Sequence, residues 1–316
     1  MQETNPDISR EQTAAASAPN AAAEAANTAA APKTAPNTAA NAANPAAPAA
    51  TPFPSLTDLL VLLGLFFVVS FAVGLAAIVV LLLSGRGLDD LDPYARARLM
   101  ALSNFLSLSV LTAAFLWYRS RRRAPHLRIG YGLHGLDFRL LGAAFVLMCA
   151  LSVLLEPLYT LLPAPDQNVG RGPWAFAAVV VIAPLFEEWL CRGFLFGSLR
   201  ERFGVGASCL LSALFFGIIH AQPVPAINAF FLGLILAWIY ERTATLWAPI
   251  LLHAAHNLLA WLLTVGGYGD RTLPELLGGR MWLYALCYAV AAVAALGALG
   301  ALFRMRHRSG GTRTQR

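Results

Sequence analysis

Apolar blocks of roughly twenty residues recur along this chain, and a block of that length crosses the ~30 Å hydrocarbon core of a bilayer as a helix. The first of them, residues 56–83, carries no charge between Asp58 and Arg86. Composition agrees with that reading. Of the 316 residues 58% are hydrophobic and 13% charged, with a mean hydropathy of +0.60, whereas a soluble domain carries about 25% charged residues. The sequence therefore predicts an all-α, polytopic transmembrane helical bundle. About eight spans are expected, near 56–83, 100–118, 138–162, 174–199, 205–221, 225–241, 244–264 and 281–303.

The first 52 residues are of another kind. Between Glu11 and Ala50, 21 of 40 residues are Ala and 5 are Pro, and no Leu, Ile, Val or Phe occurs between Ile8 and Phe53. Such a segment buries too little apolar surface to offset its ordering entropy, so a disordered tail is expected there. The expected division is a tail over 1–52, N-terminal transmembrane helices over 53–165, a central helical core over 166–264, a last transmembrane helix over 265–303 and a basic tail over 304–316.

The net charge of +6 does not point to nucleic acid. Lys33 is the one lysine, and the arginines gather in short runs beside apolar blocks, as topology-setting loops do. Arg119, Arg121, Arg122, Arg123 and Arg128 follow the second span, and Arg304, Arg306, Arg308, Arg313 and Arg316 follow the last. With alternating spans, Arg200, Arg202 and Arg242 fall on the same side. The opposite side dilutes Arg86, Arg96 and Arg98 with Asp89, Asp90 and Asp92. By the positive-inside rule both termini are cytoplasmic. Scarce lysine beside abundant Ala and Arg suggests GC-rich coding, hence a bacterial inner membrane. Cys149, Cys191, Cys209 and Cys287 lie in apolar stretches without CxxC spacing and read as buried hydrophobes.

Ionisable residues inside a bilayer cost several kcal/mol and mark function by default. They cluster in three spans: Glu187, Glu188 and Arg192 in the first, His220 in the second, and His253 and His256 in the third, with the polar Asn257 beside them. Counted from Arg200, Gly204 and Arg242 at 1.5 Å per residue, Glu187, His220 and His253 lie roughly 16–24 Å from one membrane face. Glu188 and Arg192, four apart with the acid first, form a favourable pair that reads as a structural bridge. Glu187, about 100° further round the helix, has no such partner and is placed to act as a general base. His253 and Asn257 share a face, with His256 at its edge. Asn104 and Asn228 are expected to make interhelical hydrogen bonds, and Glu156 to be structural.

These motifs resemble the CPBP family of CAAX proteases and bacteriocin-processing enzymes, which includes the type II CAAX prenyl endopeptidases. Its pattern is EExxxR, FxxxH and HxxxN or HxxxD, each on its own transmembrane helix. Here the pattern reads Glu187-Glu188-Trp189-Leu190-Cys191-Arg192, Phe216 to His220, and His253 to Asn257, within residues 170–264. The resemblance implies an intramembrane endopeptidase acting on a membrane-associated protein or peptide. It implies that Glu187 and His220 activate a water, that His253 and Asn257 stabilise the oxyanion, and that Glu188 and Arg192 shape the site. Members are often labelled metalloproteases. Glu187, His220 and His253 would be a plausible zinc set with an open position, although no HExxH helix is present. Metal-free water activation stands beside that possibility. Water would need a lateral or cytoplasmic opening, for which Gly193, Gly197, Gly204 and Gly206 could break the helix. Two other classes compete: a non-enzymatic immunity or scaffold protein, and a proton or ion carrier. The carrier reading is weakened because no internal repeat is visible.

Overall fold

The computed structural model describes residues 53–124, 127–163, 172–269 and 271–306. The expected tail over 1–52 lies outside them, as does 307–316 of the tail expected over 304–316, whose first three residues instead continue the last helix to Arg306. The described residues belong to one compact unit, and all of their regular structure is helical.

Seven long helices build the unit. They are α1 (Leu56–Leu83), α2 (Pro93–Arg121), α3 (Phe138–Leu154), α4 (Pro173–Ile218), α5 (Pro223–Thr243), α6 (Trp247–Val265) and α7 (Met281–Arg306). Six of these are long and apolar enough to cross a membrane, all except α3, which has 17 residues. The sequence expected eight spans. The count differs because α3 stops at Leu154, short of the expected 162, and because the fourth and fifth expected spans lie in the single helical run α4.

That run is not straight. Gly204 has φ 75° and ψ −180°, a backbone region open essentially to glycine. Beyond it Ser212 donates from Oγ to the Cys191 carbonyl at 2.8 Å. In an unbroken helix those residues would stand about 31 Å apart, so the chain reverses at Gly204 into two antiparallel legs, 173–203 and 205–218. Of Gly193, Gly197, Gly204 and Gly206, Gly204 alone leaves helical φ/ψ, as the turn between the two legs, and Gly193 is packed against Ile129.

The first leg is also widened. Its helical turns over Ala177–Ile182 and Trp189–Phe196 are π-type, with an α-turn Ala183–Glu188 between them. Pro184 lacks an N–H, and its ring crowds the carbonyl four residues before it. The wide turn ahead of Pro184 gives that ring room.

Without a hydrophobic drive between helices in lipid, close packing and polar bridges hold such a bundle together. Gly233 of α5 lies against Ala213 of the second leg, and Gly217 against Ala226 and Phe230, so close that an added Cβ would meet them at 3.1 Å or less. On the other side of α3, α7 buries Ala291, Ala295, Ala298 and Leu302 in the shared core. At the N-terminus of α1, Asp58 caps the helix through Ser55, accepts from Tyr118 at 2.6 Å and pairs with Arg122 at 2.8 Å. That bridge ties α1 to the arginine-rich end of α2. The expected interhelical bond of Asn228 is present, from Ser152 at 3.2 Å and Tyr159 at 3.1 Å. Asn104 makes none among the described residues.

Candidate functional site

The three motifs meet where the first leg of α4, the end of its second leg and the first half of α6 converge. Each backbone aims its side chain for a local reason. Glu187 and Glu188 occupy the α-turn between two π-turns, an irregularity common at functional sites. His253 stands six residues into α6. His220 lies past the last helical residue of the second leg, Ile218, in a turn that continues through Ala221 at φ 59°. The sequence placed it inside a span over 205–221. The helix stops earlier because His220 bends back and donates from Nδ1 to the Phe216 carbonyl at 2.7 Å, satisfying one of the carbonyls a helix end leaves without a partner.

Glu188 and Arg192 are fully buried and paired at 2.9 Å. The same carboxylate oxygen, Glu188 Oε1, stands 2.9 Å from His253 Nδ1. Arg192 also donates to the Gly233 carbonyl at 3.1 Å and lies over the Phe216 ring, 4.4 Å from its centroid. The sequence read Glu188–Arg192 as a self-contained bridge, and the structure adds a third member. A carboxylate that accepts from Arg192 accepts from His253 as well, so Nδ1 carries a proton and Nε2 turns toward the site. Nε2 stands 3.9 Å from Glu187 Oε2. Glu188 thus holds the imidazole orientation much as an outer carboxylate orients a metal-bound or catalytic histidine.

Glu187 keeps 17% of its side chain exposed, against 0% for Glu188. His220 joins the group through Phe216, whose ring meets both imidazoles edge-on at 4.8 and 5.5 Å. Its Nδ1 is held by the Phe216 carbonyl, which leaves Nε2 as its lone-pair nitrogen. Asn257 donates from Nδ2 to the Val179 carbonyl, in the first π-turn, at 2.9 Å, and its second amide hydrogen remains for another acceptor. His256 points elsewhere, to Ser152 at 3.1 Å. Glu156 accepts from Tyr284 of α7 at 2.8 Å, a structural tie.

A metal finds no three-ligand set here. Among the described residues no group of three or more His, Cys, Asp and Glu side chains is gathered as a metal ion requires. Glu187, His220 and His253 are not brought together in that way, so the zinc set that the resemblance left open does not fit these residues.

Several supporting residues were not singled out in the sequence. Gly233 supplies the carbonyl for Arg192. Trp189, beside Glu188, donates to Tyr131 at 3.1 Å, and Leu246 at the head of α6 donates to the Gly130 carbonyl at 2.8 Å. Residues 127–135 therefore form a strap across the arginine-rich end of the site helices. Its signal was the glycine spacing of Gly130, Gly132 and Gly135.

Comparison with known proteins converges on the same stretch. Residues 170–259 match the family described as "Type II CAAX prenyl endopeptidase Rce1-like". A relative from Bacillus subtilis (strain 168), named "Putative membrane peptidase YdiL", is 32% identical over 77 residues, which cover 24% of this chain and 32% of that protein. The match thus spans about a third of that curated relative. No solved structure matches.

Proposed function

Since residues 170–259 place this chain in the Rce1-like type II CAAX prenyl endopeptidase (CPBP) family, we propose that it is an intramembrane endopeptidase that cleaves membrane-associated polypeptides with a Glu187-activated water. The observation that carries the reading is the pairing of a buried Glu188–Arg192–His253 group with a partly exposed Glu187 beside it. A structural bridge alone gives no reason for a second carboxylate facing an imidazole.

In this mechanism Glu187 takes a proton from a water that also donates to His220 Nε2. The water oxygen attacks the scissile carbonyl carbon, and the carbonyl oxygen gains the negative charge. Asn257, through the N–H not used by Val179, and His253, through a proton on Nε2, donate to that oxyanion. Glu188 is the counter-charge for the doubly protonated ring. Donors fixed before reaction in a low-dielectric site stabilise developing charge far more than they would in water. Collapse of the intermediate breaks the C–N bond, and Glu187 returns its proton to the leaving amine. No step is routed through a metal.

The same reading sets the orientation. Arg119, Arg121, Arg122, Arg123, Arg128, Arg200, Arg202 and Arg242 lie at one end of the bundle. With the two legs of α4 and α3 each counted as a crossing, there are eight crossings and both termini are cytoplasmic. A survey of new protein termini in cells carrying wild type or Glu187→Gln at equal abundance tests the function. The proposal expects termini that vanish in the variant. Identical termini with a folded variant would favour the non-enzymatic reading.

A further inference from the structure

Helix α6 is held from two sides at the level of the site. Three of its side chains reach the first leg of α4. His253 meets Glu188 at 2.9 Å, Asn257 donates to the Val179 carbonyl at 2.9 Å, and Trp261 stacks edge-on against Phe176 with ring centroids 5.3 Å apart. His256, one position before Asn257 and about 100° away round the helix, reaches the other way. Its Nε2 stands 3.1 Å from the hydroxyl of Ser152 on α3. Ser152 in turn lies 3.2 Å from Asn228 Oδ1 of α5, which also accepts from Tyr159 at 3.1 Å. These four side chains form one polar knot, and none of them is a motif residue.

Proton inventory sets the direction of the bonds in the knot. A serine hydroxyl has one proton to give. Ser152 Oγ lies 3.2 Å from each of two oxygens that can only accept, the Met148 carbonyl and Asn228 Oδ1. Its proton goes to them, so the contact with His256 is an Nε2–H that donates to Oγ. His253, by contrast, gives its Nδ1 proton to Glu188. The imidazole therefore leans on Ser152, and Ser152 and Tyr159 both lean on the Asn228 carbonyl.

Close packing does not hold this part of α6 in place. Its buried residues are Ala248, Pro249, Ile250, Leu252 and His253, whereas 254–258 are half-buried and 259–260 exposed. Asn257 lies past the last buried position, where ties to neighbouring helices must do what packing does earlier. Ties to the first leg alone leave α6 able to roll against that leg. The bond from His256 to α3 opposes the roll. Helix side chains reach about 5–6 Å from the axis, so a roll of about 10° carries the Asn257 amide about 1 Å. A misplacement of that size costs about 10²-fold in rate.

We propose that His256 is a positioning residue for peptide hydrolysis: its bond to Ser152 fixes the roll of α6 and so aims the second N–H of Asn257 at the oxyanion. The catalytic half of the proposal rests on the hydrolytic reading; the bond that fixes the helix does not.

The test uses full-length protein in lipid nanodiscs and a synthetic peptide spanning a cleavage site found by the survey of termini. His256→Leu and Ser152→Ala should each lower kcat by about 10–100-fold with KM unchanged, as loss of an aligned transition-state donor does. His256→Gln, which returns an N–H donor near the position of Nε2, should restore kcat. On an Asn257→Ala background His256→Leu should lower kcat no further, because the residue through which it acts is gone. A bond of structural value alone would lower the SDS unfolding midpoint and leave the kcat of folded protein unchanged. The proposal is overturned if His256→Leu keeps the wild-type kcat, if His256→Gln is as impaired as His256→Leu, or if the loss is as large with Asn257→Ala as without it. A second arm needs no catalysis. In protein carrying 15N-labelled histidine, the His256 ring, assigned by its absence in His256→Gln, should hold a proton on Nε2 and shift in Ser152→Ala. A ring protonated at Nδ1 alone overturns the bond, and the proposal with it, even where peptide is cleaved. A wild-type protein that cleaves no peptide overturns the hydrolytic reading and the catalytic half, while the ring measurement reports on the bond by itself.

Discussion

Removing one member of the Glu188–Arg192 pair should do more damage than removing both. The ion pair is 2.9 Å long and neither side chain has any exposure. Deleting one partner leaves the other charge buried without compensation, which costs about 3–5 kcal/mol. Glu188→Gln is the informative change on the acid side, because it keeps an acceptor oxygen where Arg192 and His253 both donate. Arg192→Met removes the guanidinium and keeps much of the chain that lies over Phe216. Each single variant should lose about 3–5 kcal/mol. The double variant has no orphaned charge and should lose about 1–3 kcal/mol, the scale of the lost hydrogen bond to Gly233 and the exchanged packing. Unfolding would be followed by titrating purified protein in micelles with SDS, read by maleimide reaction of Cys191, which has 0% exposure when folded. Singles within about 1 kcal/mol of wild type, or single losses that add to within about 0.5 kcal/mol in the double, would refute a buried, coupled pair.

Two further predictions separate architecture from chemistry. Gly204→Ala meets no atom within 4 Å but must adopt φ 75°, so it should cost about 1–3 kcal/mol of backbone strain in the same titration; no loss would deny the sharp reversal at 204. Asn257→Ala should lower kcat by about 10²–10³ through the lost oxyanion donor, and an unchanged kcat would remove Asn257 from the oxyanion group.

The motif residues were legible in the sequence because polar side chains stand out in apolar helices, and Glu187, His253 and Asn257 could be assigned to faces by spacing alone. What spacing could not reach was anything formed between helices. Glu188 and Arg192 satisfy the rule for a bridge within one helix, so nothing local shows that His253, 65 positions away, shares the same oxygen. The π-turns on either side of Glu187 change the helical phase without a change in composition; Pro184 is their one visible cause. Gly204 was one of four glycines that could break the helix, and its selection depends on a positive φ that tertiary packing imposes. Six helices qualify as spans by length and composition because the reversal at Gly204 joins two expected spans in one helical run and because α3 has only 17 residues.

The central claim is that Glu187 is the base of a peptide-bond hydrolysis within the membrane. Its most direct test is single-turnover cleavage of a synthetic segment spanning a terminus found in the survey, by purified protein in lipid nanodiscs, comparing wild type with Glu187→Gln. Loss of a general base lowers the rate by about 10²–10⁴, and because Glu187 is partly exposed and carries no structural ion pair with Arg192, the SDS unfolding midpoint should stay at the wild-type value. A folded Glu187→Gln protein that cleaves at the wild-type rate would contradict the account.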